Sequence, residues 1–261
     1  MRCIFCKADS SASKSEEHII PQSLGNVQHI LPPGVVCDSC NNYFSRKVEK
    51  PLLDSEYFVQ ARSWNTIPSK KGRIPTIKAI HIESMTVVEI SNDEDEPSIY
   101  PSNEKDSKRF IESLRMSEKG RLVFPVARRP DAYLVSRFLG KVAIEALADR
   151  LSSVPGGLDE IVDKEELDEL RDYVRRGNRS TPWPFYQRRI YPEGVLFHDE
   201  DYGHYEVLHE YTLLYTESME LYFVMAILGV EYALSMDGPD ISGYMKWLSE
   251  NGNRSPLYLY G

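Results

Sequence analysis

The sequence predicts an α+β protein in which a small N-terminal module precedes a larger mixed body. Three observations carry that expectation. All four cysteines fall within the first 40 residues, as two C-x2-C pairs, so that segment is built differently from the rest. Apolar and polar residues alternate along Ile74–Ile90, the period of a half-buried strand. Leu134, Phe138, Val142 and Leu147, with Ala143 and Ala146, recur at helical spacing behind Asp131, a natural N-cap. The 261 residues suffice for one large or two modest domains, and 41% hydrophobic content supports a buried core.

Each pair, Cys3 with Cys6 and Cys37 with Cys40, presents two thiolates from one tight turn, which suits tetrahedral zinc. The competing reading is two disulfides in a secreted module. The N-terminus MRCIFCKADS lacks the long apolar core of a secretion signal, which weighs against it. No window is long and apolar enough for a membrane span, and the run Leu221–Leu234 is broken by Glu231. A soluble cytoplasmic protein with a structural zinc on the four cysteines is therefore expected. A net charge of −9 argues against unselective binding of polyanions, although it says little about a local site.

In chain order, residues 1–60 read as the metal-held module and 61–261 as the body. Between the cysteine pairs, Pro21, Gly25, Pro32, Pro33 and Gly34 exclude a long helix, and Val35–Val36 read as a short strand. Tyr43, Phe44 and Val48 then take helical spacing, with Pro51 as the stop or interruption. A basic connection follows, then the strands of 74–90, an acidic loop at Ser91–Pro97, a helix at Asp106–Leu114 and a strand at Arg121–Val126. Helices are expected over Asp131–Leu151 and Leu158–Arg176, the second acidic at its start, basic at its end and closed by Gly177. The stretch from Pro182 through Arg188–Arg189 reads as a loop, and strands are expected at Tyr205–Tyr215, Glu220–Leu228 and Val230–Met236. The group His198, His204 and His209 with Asp199, Glu200 and Asp201 reads as a solvated loop leading into a strand.

Taken together, C-x2-C, EHIIPQSLG and VVCDSCNNYF resemble the HNH endonucleases, whose core is a ββα-metal fold, here flanked by zinc knuckles. The resemblance covers residues 3 to about 50. It implies that His18 is the general base, since a neutral imidazole can take a proton from water at working pH. It implies that Glu17 and Asn41 hold a hard divalent ion, Mg2+ or Mn2+, through oxygen, while the four-sulfur zinc is structural. Two positions depart from the family pattern. The middle Asn is Pro32, which leaves the support of the histidine loop to another residue such as Asn26. The second histidine ligand is Ser45. Asn42, Arg46 and Glu49 share a neighbouring helix face, read chiefly as exposed surface.

The implied substrate is DNA, by default double-stranded. Arg46, Arg62, Lys70, Lys71 and Arg73 are the first candidates for phosphate contacts, with Arg128–Arg129, Arg175–Arg176–Arg179 and Arg188–Arg189 extending them. Trp64 and Trp183 lie near basic stretches, and packing is the expected role of each. Three readings follow. The first is an HNH nuclease, in bacterial anti-phage defence or a mobile element, whose body reads targets, dimerises or regulates. The second is a non-catalytic zinc module that binds nucleic acid. The third is an interaction protein whose working part is the body.

Overall fold

A computed structural model describes residues 1–92, 96–117, 119–199 and 203–260 of the chain. The module opens with a hairpin, β1 (Glu17–His18) paired antiparallel with β2 (Ile30–Leu31), followed by α1 (Asp38–Phe44). This is a ββα arrangement. A π-helical turn at Ser45–Glu49 leads into α2 (Lys50–Leu53), and α3 (Glu56–Trp64) follows. Next come β3 (Ile77–His81), β4 (Thr86–Ser91), β5 (Ser98–Pro101), α4 (Ser107–Met116) and β6 (Leu122–Val123). The helices α5 (Ala132–Leu151), α6 (Gly157–Asp163) and α7 (Asp168–Arg176) precede the second sheet. Its region contains β7 (Phe185–Arg189), β8 (Phe197–Asp199), β9 (Gly203–Tyr205), β10 (His209–Tyr215), β11 (Leu221–Ile227) and β12 (Val230–Ser235), and α8 (Ser242–Glu250) closes it. Helices and antiparallel strands are segregated, so the fold class is α+β.

The chain forms two compact units. One joins Met1–Leu52 to Asp131–Gly261, and the other is Leu53–Pro130. This grouping differs from the expected division at residue 60. The module and α5 share one unit because long charged side chains of the body reach into the module, as described below.

In the first unit the sheet order is β10-β11-β12-β7, antiparallel throughout. One face packs Tyr222, Val224, Ala226 and Ala233 against Tyr244 and Leu248 of α8. Helix α5 packs on β12 and against α6 and α7. Asp131 caps it as expected, its carboxylate accepting from the Tyr133 amide at 3.0 Å. Gly140 sets the approach to α7: a Cβ there would lie 2.6 Å from Val174 Cγ2. The second unit is a sheet of order β5-β4-β3-β6, with Ile77, Ala79, Val88 and Ile90 packed on Phe110 of α4.

Three local expectations are corrected and one is narrowed. Val35–Val36 are buried but not a strand; the Val35 carbonyl instead accepts from the Ile4 amide at 3.0 Å and so joins the two cysteine turns. Pro51 interrupts its helix rather than ending it: the π-helical turn before it accommodates a residue that cannot donate. The single helix expected over Leu158–Arg176 is two, with a 3-10 turn at Glu165–Leu167 between them. Arg171 rewards that break: buried, it donates to the carbonyls of Ile161 and Lys164 at the end of α6. Phe185–Arg189, read as loop, is the edge strand β7, held there by a buried pair between Arg188 and Glu231 at 2.7 Å. Of the acidic loop Ser91–Pro97, residues 93–95 lie outside the described residues. So do Glu200 and Asp201 of the histidine-acid group, while His198 and His204 face each other across the β8–β9 hairpin.

Candidate functional site

The four cysteines converge, their sulfurs within 4.8 Å of one another. Cys6 and Cys37 stand 3.7 Å apart, close to the edge of a zinc-thiolate tetrahedron, roughly 3.8 Å for Zn–S bonds of about 2.3 Å. Amides of Cys37 and Cys40 donate to the sulfurs of Cys3 and Cys37 at 3.3 and 3.4 Å. The Cys40 thiol, hydrogen-bonded to Cys3, holds Cys3 down to about 4. That same bond, then burial, pushes Cys40 far up, and burial raises Cys6. One thiolate here suppresses the next unless a cation balances them, so the donor set fits zinc and the four residues could hold that ion. Among the described residues this is the one His, Cys, Asp and Glu group able to do so.

The hairpin between the cysteine turns carries His18, which is half-buried. Its loop is supported where the family's middle Asn is missing. Pro32 is exposed, and buried Asn26 does the work instead: Nδ2 donates to Ile20 O at 2.6 Å and His29 O at 3.0 Å. Asn26 Oδ1 accepts from the amides of Gln28 and His29 at 3.0 and 2.9 Å. The side chain of Asn41, on α1, donates to Glu16 O at 2.9 Å, which ties the helix to the strand and leaves its Oδ1 as an acceptor. An open depression of about 550 Å3 lies here, lined by Lys14, Ser15, Asp38, Asn41, Asn42 and Ser45. Asp38 fixes its rim by accepting from the amides of Lys14 and Ser15 at 3.0 and 2.9 Å.

Glu17 is buried, at 5% exposure. Its Oε1 lies 2.6 Å from Lys141 Nζ, while Oε2 has no hydrogen-bond partner among the described residues. Burial raises the Glu17 carboxyl above its usual value, with Lys141 acting against that. Lys141 also meets Glu49 at 2.7 Å and Glu145 at 2.8 Å. Burial works to lower the lysine, but the three carboxylates outweigh it and its pKa is raised; burial raises Glu145. Glu49 thus points into this cluster rather than sharing an exposed face with Asn42 and Arg46.

The residues expected at phosphates separate. Arg46, Lys70, Lys71 and Arg73 are exposed. Arg62 is not: at 6% exposure, with burial lowering its pKa, it cannot reach a polyanion from this position. Arg188 is occupied by Glu231. Trp183 is buried and donates to Ser235 O at 3.0 Å, as packing predicts, whereas Trp64 is 52% exposed beside Phe124. Sequence reasoning missed Lys141, Glu145 and Arg171. The first two had a signal: a Lys and a Glu four apart amid Leu139, Gly140, Val142, Ala143, Ile144 and Ala146 have no polar face to occupy.

Residues 3–56 match the family model described as HNH endonuclease. The match covers well under half of the chain and takes in both cysteine pairs, the hairpin and α1. This segment is therefore similar to a nuclease domain, and the substrate class it implies is nucleic acid. No curated protein and no solved structure matches the chain. No helix among the described residues is long and apolar enough to cross a membrane.

Proposed function

We propose that the protein is a metal-dependent endonuclease that hydrolyses phosphodiester bonds of double-stranded DNA. The observation that supports this most is the Asn41–Glu16 bond, which sets the helix carrying Asn41 beside the strand carrying His18. His18 is the general base: its imidazole takes a proton from the attacking water. Glu17 Oε2, a buried carboxylate oxygen in want of a partner, and Asn41 Oδ1 are hard oxygen donors and fit Mg2+ or Mn2+. When bound, such an ion neutralises charge at the scissile phosphate and stabilises the leaving oxygen. Arg46, beside the depression, and Lys70, Lys71 and Arg73, in the second unit, attract the phosphate backbone. The part outside the module serves DNA binding, dimerisation or regulation, and anti-phage defence or mobile-element activity is the biological setting this reading favours.

One observation favours a second reading. Glu17 is engaged by Lys141, and Pro32 and Ser45 replace family residues, as in a zinc module that binds nucleic acid without cutting it. Plasmid incubated with the protein and Mg2+ or Mn2+, beside His18→Ala, separates the two. Cutting by the parent and loss of at least about 100-fold in the variant is the expected result. A gel shift without cutting in both selects the second reading, and equal cutting by both removes His18 from the mechanism.

A further inference from the structure

Lys141 is fully buried in α5, far outside the segment that matches a nuclease family. A lysine is almost never fully buried without partners, and this one has partners from three directions. Glu17 comes from β1, Glu49 from the π-helical turn that continues α1, and Glu145 from α5 itself. The ammonium also lies 3.0 Å from the carbonyl oxygen of His18 and 3.4 Å from that of Ile19. One cation therefore holds the strand that carries His18, the helical line that carries Asn41, and helix α5.

Stability alone does not explain this choice. A buried ion cluster gives little net stability, and apolar residues of similar volume often do as well. What an apolar residue cannot do is grip the backbone of His18 and one oxygen of Glu17 at once, leaving the other oxygen of Glu17 fixed in direction. Groups at this remove from a reacting centre orient the residues that touch it.

We propose that Lys141 is a positioning residue: its ammonium fixes the Glu17–His18 strand against the helical segment bearing Asn41, so that the body completes the site of the N-terminal module. The inference rests on the nuclease reading for its catalytic consequence and on geometry alone for the tether. It also means that a module cut at residue 60 would lack part of its own site.

The test uses the full chain. Lys141→Met/Glu145→Gln removes the ammonium together with the carboxyl on its own helix, so the tether is gone and no carboxyl on α5 is left without its cation. The expected result is faster hydrogen exchange at the Ile19 amide, which bonds His29 O at 3.1 Å, with the Cys3 and Asn41 amides unaffected and zinc content retained. Turnover on plasmid falls about 10–100-fold at unchanged KM. Unchanged exchange at Ile19 together with unchanged turnover overturns the proposal. So does loss of zinc with acceleration at all these amides, the mark of a merely structural role. If the double variant does not fold, Lys141→Arg is read by the same criteria. If the parent cuts no DNA, the nuclease reading falls, and exchange at Ile19 alone still decides the tether.

Discussion

The module and the second compact unit hold themselves together by opposite means. Within Leu53–Pro130, the apolar face of β3 and β4 covers Phe110, and the buried polar residues His81, Ser84 and Thr86 find partners close by in sequence. His81 Nδ1 meets Ser84 Oγ at 2.7 Å, and Ser84 Oγ meets Thr86 Oγ1 at 2.7 Å. The module depends on long-range polar clamps instead. Arg171 Nε donates to Ile4 O at 2.8 Å, Arg137 to the Tyr43 hydroxyl at 2.8 Å, and Lys141 to His18 O. Lys7 and Arg2 add exposed pairs to Asp168 and Asp163. A segment with two-residue strands has almost no ladder of its own, so sulfur ligation and buried cations from α5 and α7 supply what a sheet would otherwise provide.

Zinc removal should break this contrast most sharply. Structural zinc contributes roughly 10–16 kcal/mol in zinc-finger peptides. A strong chelator should abolish amide protection at Cys3, Ile19 and Asn41 while leaving that of Ile77–His81 and Thr86–Ser91 intact. Equal loss in both units would mean that they do not unfold separately. The complementary change is Phe110→Ala, 5% exposed in the parent. It should cost the second unit about 3–5 kcal/mol, read as a lower denaturation midpoint for its amides, with zinc content unchanged. Asn26→Ala comes next. It removes a buried side chain with four hydrogen bonds to backbone and should cost about 1–3 kcal/mol. Exchange should quicken at His29 and Gln28 before any amide near the cysteines.

The same contrast governs what could be read in the sequence. Local signals were legible: two cysteine pairs, the N-cap at Asp131 and the alternation of 74–90, and the EH and CN pairs supplied the residues of the proposed site. The clamps were not, because each joins residues more than ninety positions apart and a charged residue looks alike whether it faces water or a carbonyl. Arg62 shows the cost in one direction, counted among exposed cations and found buried. Arg188 shows it in another, since its strand became visible only once Glu231 was placed opposite it. Asn26 was within reach because its loop is short and Asn26 is the one asparagine between β1 and β2 to take the place of the missing family Asn.

The smallest expected effect concerns the module's outer hairpin, where His29 of the β1–β2 loop faces the body. Its ring lies 6.2 Å from His209 and 5.1 Å from Tyr211, whose hydroxyl is 3.3 Å from His29 Nδ1 and 3.5 Å from Asp149. Burial, then the neighbouring His29, lowers the pKa of His209. The folded chain therefore binds that proton less readily than the unfolded chain. Stability on this account is complete above the unfolded value, about 6.5, and declines as pH falls below it. His209→Gln should flatten the pH dependence of the unfolding midpoint just below about pH 6.5, by at most about 1.4 kcal/mol per unit. The second unit gives an internal control in a different window. Backbone and side-chain hydrogen bonds from Arg121 hold the Glu83 carboxyl down to about 2, so its contribution is lost only below the ordinary carboxylate range. A flattening confined to the higher window assigns it to His209, whereas parallel curves for variant and parent would remove His209 as the cause.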